Sequence, residues 1–114
     1  MSGKISTHVL DTANGRPAAG LKIQLWKIET DERRLLKEAI TNQDGRTDAP
    51  LLLGDELKPG VYELVFQVGS YFFKTTDDAF LQDVPVRFRV LNTAENYHVP
   101  LLVSPWSYTT YRGS

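Results

Sequence analysis

Residues 4–10 have the sequence KISTHVL, and its pattern decides the fold. Successive side chains of an extended chain point to opposite faces. The odd positions carry the β-branched residues Ile5, Thr7 and Val9, while the even positions include His8. A period of two, with β-branched residues along one face, is typical of a strand rather than a helix. The stretch therefore predicts a β-strand with one face toward a core.

Similar segments recur along the chain between residues that favour turns. Asn14-Gly15 and Asp44-Gly45 are strong turn signals, and Pro59-Gly60 opens another extended segment. The further segments predicted as strands are 21–28, 35–42, 59–68, 71–75, 84–91 and 97–104, and residues 51–53 are a short apolar run. Seven or eight short strands at close spacing predict an all-β antiparallel sandwich with Greek-key-like connections.

Residues 75–84, TTDDAFLQDV, interrupt the β pattern. Thr76 can cap a helix, and Asp77 and Asp78 would lie near its N-terminus, where carboxylates are favoured. The apolar residues that follow could then face inward. We predict one short helix in this segment.

The composition limits the classes of function. The chain has 114 residues, which predicts one domain over 1–114, and its apolar and charged fractions, 41% and 24%, are those of a globular protein. A net charge of −1 gives no basic surface for nucleic acid. No stretch is long and apolar enough for a signal peptide or a membrane span. The absence of cysteine excludes disulfides and thiolate nucleophiles and suits a reducing compartment. We expect a cytoplasmic protein with no membrane partner.

The strand at 97–103, YHVPLLV, is apolar on both faces. A two-layer sandwich buries only one face of each sheet, so the second face needs a cover. Another copy of the chain would supply one, although loops over the sheet would produce the same pattern.

The two histidines are the main candidates for chemistry. If Val9 and Val99 face the core, His8 and His98 lie on outer faces of their strands. Two unrelated solvated histidines would satisfy the same pattern. A zinc site is disfavoured, because closed sites use about four ligands and no carboxylate lies at a telling spacing. Arg46, after the turn at Asp44-Gly45, could equally be an ordinary exposed arginine. Spacing alone establishes no catalytic site, and no Gly-x-Ser-x-Gly motif is present.

Three separated stretches carry a family resemblance. ISTHVLDTANGRPAAGLKIQLW (5–26), TNQDGRTD (41–48) and YHVPLLVSPWSYTTYRGS (97–114) resemble the 5-hydroxyisourate hydrolase family, the transthyretin-related enzymes of urate breakdown. The match spans nearly the whole chain, and the signatures occur in the expected order. Transthyretin is similar in fold but lacks the Tyr-Arg-Gly-Ser ending.

The resemblance implies a fold, an assembly and a set of site residues. The fold would be a transthyretin-like antiparallel β-sandwich of two four-stranded sheets with one short α-helix. The assembly would be a homotetramer, a dimer of dimers, with active sites in the channel between dimers. The implied catalytic residues are His8, Arg46, His98 and Ser114, and the implied substrate-binding residues are His8, Arg46, Tyr111, Arg112 and Gly113.

The resemblance also implies a reaction. The enzyme would convert 5-hydroxyisourate to 2-oxo-4-hydroxy-4-carboxy-5-ureidoimidazoline, with no cofactor and no metal. A histidine near its ordinary pKa of ~6.5 could act as general base on water. Arg46 would stabilise the oxyanion, and Ser114 would contact the substrate or the water. The alternatives are a non-catalytic carrier of a small aromatic ligand and an interaction domain for another protein.

Overall fold

Two β-sheets enclose the core of the molecule. The computed structural model describes residues 3–73 and 79–114. Its strands in chain order are β1 Lys4–Asp11, β2 Arg16–Pro17, β3 Lys22–Ile28, β4 Arg33–Ile40, β5 Leu52–Leu53, β6 Gly60–Gln67, β7 Asp83–Val90, β8 Tyr97–Val103 and β9 Tyr108–Thr110. A short helix, α1, spans Val68–Phe72, and Gly54–Glu56 form a 3₁₀ turn.

The first sheet has the order β2-β1-β8-β9, and β5 also pairs with β1. The second sheet has the order β4-β3-β6-β7. The all-β sandwich predicted from the sequence is therefore confirmed, with the two-residue β5 added to the expected four strands. Among the strand pairs of the described residues, β1 and β8 alone run parallel. Nothing in the spacing of the segments predicts that exception to an antiparallel pattern.

Burial fixes the faces of β1, where it alternates strictly, and of β8, where Pro100 is the exception. Ile5 and Val9 are fully buried, and Leu101 on the neighbouring strand is fully buried too. Burying an aliphatic side chain of this size stabilises the fold by about 1.5–3 kcal/mol. Because a slip of one residue would turn every side chain of a strand to the opposite face, this burial specifies the register.

The position of the helix differs from the prediction. Thr76, Asp77 and Asp78 lie outside the described residues, whereas residues 79–82 have no regular structure and β7 begins at Asp83. The described part of the predicted helix is therefore not helical. The helix lies earlier, at Val68–Phe72, although the aromatic pattern predicts a strand from residue 71.

Burial explains why the aromatic segment is helical. Val68 and Phe72, four residues apart, are both buried, and this spacing places them on one helical face. The hydroxyl of Tyr71 donates to Asp11 in β1 at 2.8 Å, which ties α1 to the first sheet. Burial, followed by the neighbouring Asp11 carboxylate, raises the pKa of Tyr71 to about 12. Tertiary contacts therefore outweigh the strand propensity of Tyr and Phe.

Candidate active site

The outer face of the first sheet carries the two histidines. Val9 and Val99 point into the core, at 0% and 6% exposure. Their neighbours His8 and His98 therefore point outward, and both are half-buried. This orientation is the one that the alternation in the sequence predicts.

The parallel pairing of β1 with β8 brings the histidines together. Ser6 lies opposite His98, and His8 lies opposite Pro100. The two imidazoles are thus diagonal neighbours on the same face of adjacent strands, close enough for the charge of His8 to affect the pKa of His98. One small planar molecule lying over the sheet could contact both.

Arg46 joins the same face from the other side of β1. The side-chain oxygen of Asn42 accepts from the N–H of Asp44 at 2.9 Å and from that of Arg46 at 3.2 Å, which shapes the turn. The N–H of Val9 donates to the carbonyl of Gly45 at 2.8 Å, and Arg46 forms an isolated antiparallel bridge with His8. The arginine therefore lies beside an imidazole.

Gly45 is required in this turn for two reasons. Its φ is +76°, which glycine adopts more readily than other residues. A Cβ at this position would also overlap the carbonyl oxygen of Val9. The Asp44-Gly45 signal that predicts a turn thus has a second consequence, the placement of Arg46.

Two neighbours flank the imidazole of His98. The hydroxyl of Ser6 lies 2.9 Å from Nδ1. On the other edge, a Cβ built on Gly113 would lie 2.7 Å from Cδ2 of the ring. The N–H of Gly113 donates to the carbonyl of His98 at 2.7 Å, so the segment Tyr111–Ser114 (the YRGS segment) follows β8 beyond the end of β9.

The field at the site favours neutral imidazoles. Burial, followed by the positive charge of Arg46, lowers the pKa of His8, although Asp44 partly opposes the shift. Burial also lowers the pKa of His98, and Arg46, His8 and Lys4 add to the effect. A neutral imidazole at pH 7 retains a lone pair that can accept a proton.

The other residues of the YRGS segment do not bond to the imidazoles of His8 and His98 among the described residues. Arg112 donates to Glu95 at 2.9 Å and to the carbonyl of Asn96 at 3.1 Å, and its guanidinium lies 4.4 Å from the centre of the Tyr97 ring. Tyr97 belongs to the core-facing side of β8, so Arg112 anchors the segment away from the imidazoles. Tyr111 and Ser114 are exposed, and Ser114 makes no hydrogen bond to His8 or His98 among the described residues.

An open cavity of about 190 Å³ adjoins the cluster. Its lining includes Lys4, Ser6 and Arg46, and the remaining lining residues are Thr7, Thr47, Asp48, Ala49 and Pro50. Lys4 and Ser6 share the outward phase of His8 but are not among the site residues predicted from the sequence. The phase itself is the signal that could have identified them.

The described residues contain no group of three or more side chains arranged to bind a metal ion. They also contain no helix that is long and apolar enough to cross a membrane.

The fold and this face define a class: a two-sheet sandwich with an outward cluster of two imidazoles and a guanidinium. The family model described as "Transthyretin: HIUase/Transthyretin family" matches residues 5–113. The chain belongs to the HIUase/transthyretin family.

The relatives by sequence carry a hydrolase name. The 5-hydroxyisourate hydrolase of Halalkalibacterium halodurans is 56% identical, and the match covers 100% of both chains. The 5-hydroxyisourate hydrolase 2 of Rhizobium meliloti is 54% identical over 99% of this chain and 98% of its own.

Solved structures agree with the fold. The 5-hydroxyisourate hydrolase of Klebsiella pneumoniae has a TM-score of 0.85 at 28% identity, covering 98% of this chain and 99% of its own. Sea bream transthyretin in complex with thyroxine has a TM-score of 0.90 at 23% identity, covering 96% of this chain and 94% of its own. At that identity the likeness to the carrier is one of fold.

Proposed function

We propose that this protein is an enzyme that hydrolyses 5-hydroxyisourate to 2-oxo-4-hydroxy-4-carboxy-5-ureidoimidazoline in urate degradation. The observation that carries the proposal is the meeting of His8, Arg46 and His98 on one outward face. These residues come from three separate segments of the chain. Together they supply a base for the attacking water and a positive charge for the oxyanion, which are the groups that assist hydrolysis of a cyclic amide. The full-length relatives with this name support the same reaction.

The reaction follows from the chemistry of the three groups. A water oxygen bonds to a ring carbonyl carbon while an imidazole takes one proton from the water. The carbonyl electron pair moves to the oxygen, and the guanidinium of Arg46 stabilises the negative charge that forms there. The intermediate then breaks the C–N bond, and the leaving nitrogen receives the proton from the imidazolium. Atoms and charge balance without a cofactor or a metal.

Histidine is suited to this proton transfer because its pKa lies near neutrality, and a well-placed general base accelerates a reaction by about 10²–10⁴-fold. The lowered pKa values of His8 and His98 keep both rings in the neutral form that can accept a proton. We assign the catalytic steps to His8, His98 and Arg46, and substrate contacts to His8 and Arg46.

The YRGS segment completes the proposed site. Gly113 leaves no room for a Cβ beside the His98 ring, while Arg112 holds the segment against Glu95 and Tyr97. We propose that Tyr111, Arg112 and Gly113 form a substrate-binding wall, to which Arg112 contributes by holding the segment in place from the side away from the imidazoles. Ser114, exposed in one protomer, would act in catalysis by contacting the substrate or the water.

We also propose a homotetramer, a dimer of dimers, in which each protomer contributes residues 1–114 as one domain. The outer face of the first sheet supports this assembly. Gly113 lies over the buried Pro100, but Leu10 and Leu102 stay half-buried, and Trp106 is 57% exposed. A second sheet face would cover these side chains and enclose the site. The cysteine-free composition suits the cytoplasm, which we propose as the location.

The test of the function adds the purified protein to freshly generated 5-hydroxyisourate, which also decays spontaneously. The protein should accelerate its disappearance, and His98→Asn should lower kcat by orders of magnitude without changing the mass in solution. Arg46→Gln should lower kcat too, because it removes the charge proposed to stabilise the oxyanion. Arg34→Gln is its matched control, because Arg34 lies on the second sheet beside Glu29. A non-catalytic carrier would bind an aromatic ligand and leave the decay rate unchanged, which would refute the proposal.

A further inference from the structure

Ser6 is the outward-facing residue directly opposite His98 in the β1–β8 pairing. Its hydroxyl lies 2.9 Å from Nδ1 of that ring, which is within hydrogen-bond distance. In the sequence, the outward phase that it shares with His8 is what marks it. We propose that Ser6 is a positioning residue that accepts a hydrogen bond from Nδ1–H of His98 and so presents Nε2 to the substrate as the basic atom.

The contacts on the ring determine which atom faces outward. In an imidazole, Nδ1 and Cδ2 are the two atoms bonded to Cγ, on opposite edges of the ring. Ser6 occupies the Nδ1 edge, and Gly113 lies against the Cδ2 edge. The atoms left for a ligand are therefore Cε1 and Nε2, of which Nε2 alone can exchange a proton. Turning the ring over would place a carbon against the Ser6 hydroxyl and lose the hydrogen bond.

The direction of the hydrogen bond follows from the role of a base. A serine hydroxyl can donate or accept, and a neutral histidine carries one ring proton. If Nε2 accepts a proton from water, the existing proton must be on Nδ1, where it can be donated to Ser6. After Nε2 is protonated, both ring nitrogens are donors. The same hydrogen bond to Ser6 therefore persists through the reaction, so no side chain has to rearrange.

A hydroxyl also suits the electrostatics better than a carboxylate would. A carboxylate on Nδ1 raises the basicity of the ring and stabilises the imidazolium. Ser6 fixes the orientation of the ring without adding negative charge, so burial, with the positive charges of Arg46 and Lys4, still lowers the pKa of His98 and favours the neutral ring at rest. This proposal rests on the proposed hydrolase function and assigns the role of base to His98 rather than to His8.

A pair of nearly isosteric variants tests the role of the hydroxyl. Thr and Val have the same shape and both favour strands, so Ser6→Thr keeps the hydroxyl and Ser6→Val removes it. We expect Ser6→Val to lower kcat by about tenfold to a hundredfold, because misplacing a catalytic group by about 1 Å costs up to about 10²-fold. KM should change little, and Ser6→Thr should retain most of the turnover. Ser6→Ala serves as a second hydroxyl-free variant if Ser6→Val is poorly folded.

Nitrogen-15 NMR of the imidazoles supplies a readout that a merely structural role would not change. The chain has two histidines, so His8→Asn assigns the signals of His98. Above its pKa, His98 should carry its proton on Nδ1 in the unaltered protein, and Ser6→Val should move population to the Nε2–H form.

The outcomes separate the two proposals. An Nε2–H form of His98 in the unaltered protein, or full turnover by Ser6→Val, would overturn the role of Ser6 while the hydrolase function stands. Failure of the unaltered protein to hydrolyse 5-hydroxyisourate would overturn both.

Discussion

Replacing Gly113 by alanine should damage the site while leaving the fold intact. The new Cβ would lie 2.7 Å from Cδ2 of His98 and 3.2 Å from Cγ of Pro100. Carbon atoms in contact settle about 3.5–4.0 Å apart, so the methyl group and the ring edge must separate by about 0.8 Å or more. Either the imidazole moves off Ser6 or the YRGS segment moves off β8.

The size of the effect follows from that displacement. A shift of about 1 Å at a catalytic group costs up to about 10²-fold in rate, so we expect kcat to fall by about 10- to 100-fold, or about 1.4–2.7 kcal/mol in activation free energy. The φ of Gly113 lies outside the region that favours glycine. Alanine at such a position restricts the unfolded chain, which stabilises the fold by about 0.4–1 kcal/mol and offsets part of the strain. We therefore expect a small change in Tm.

The assay measures kcat on freshly generated 5-hydroxyisourate and Tm by calorimetry. Gly15→Ala is the control with the opposite expectation. Gly15 has a φ of +68°, and a Cβ added there would have no atom within 4 Å, so alanine should cost about 1–2 kcal/mol of stability and leave kcat unchanged. Normal turnover by Gly113→Ala would refute the claim that the YRGS segment sets the position of His98.

Three further predictions concern the charges and contacts of the site. Arg46→Gln should remove a positive charge that lowers the pKa of His8 and of His98, so both pKa values should rise. The acid limb of the profile of kcat/KM against pH should then move to higher pH. An acid limb at its original pH would contradict this electrostatic coupling. Because both histidines have a lower pKa in the fold than the ordinary 6.5, the unfolded chain binds more protons, and the free energy of unfolding should fall as pH drops below 6.5. A double His8→Asn, His98→Asn variant should flatten that dependence in pH-dependent denaturant titrations, and an unchanged slope would count against the shifts. Deleting Arg112–Ser114 removes the ion pair between Arg112 and Glu95, whose side chains are 56% and 51% exposed and which contributes about 0–1 kcal/mol to stability. We therefore expect a large loss of activity with a small fall in Tm. A large fall in Tm with activity retained would show that the segment has a structural role instead.

The alternation in β1 is sufficient to predict the face of His8, whereas β8 is apolar on both faces, so the outward position of His98 follows only once Val99 is placed in the core. A period of two is a local property, and the burial of Val9 and Val99 confirms it. The position of the helix, in contrast, does not follow from a local pattern. Capping residues predict it within 75–84, but the buried pair Val68 and Phe72 forms it earlier, through contacts with a core that local propensity does not describe.

The site itself can be proposed from the sequence only through resemblance. Arg46 follows a recognisable turn, but nothing local indicates that the turn lies against β1 at His8. Ser6 and Lys4 share the phase of His8, yet their relation to His98 depends on which strand pairs with β1 and in which direction. The partner of β1 and the direction of the pairing depend on long-range packing, and the spacing of the segments along the chain does not predict either one.

The parallel pairing of β1 with β8 links the core to the chemistry. Thr7, on the core side, donates through Oγ1 to the carbonyl of Val99 at 2.6 Å, and Ile5, two residues earlier on the same face, is fully buried. These contacts fix Thr7 opposite Val99, and the same register places Ser6 opposite His98 on the other face. A slip of one residue in β1 would turn Ile5 and Val9 outward and His8 inward, at a cost of about 1.5–3 kcal/mol for each aliphatic side chain exposed. The position of the imidazole is therefore held by apolar burial on the face opposite the proposed site.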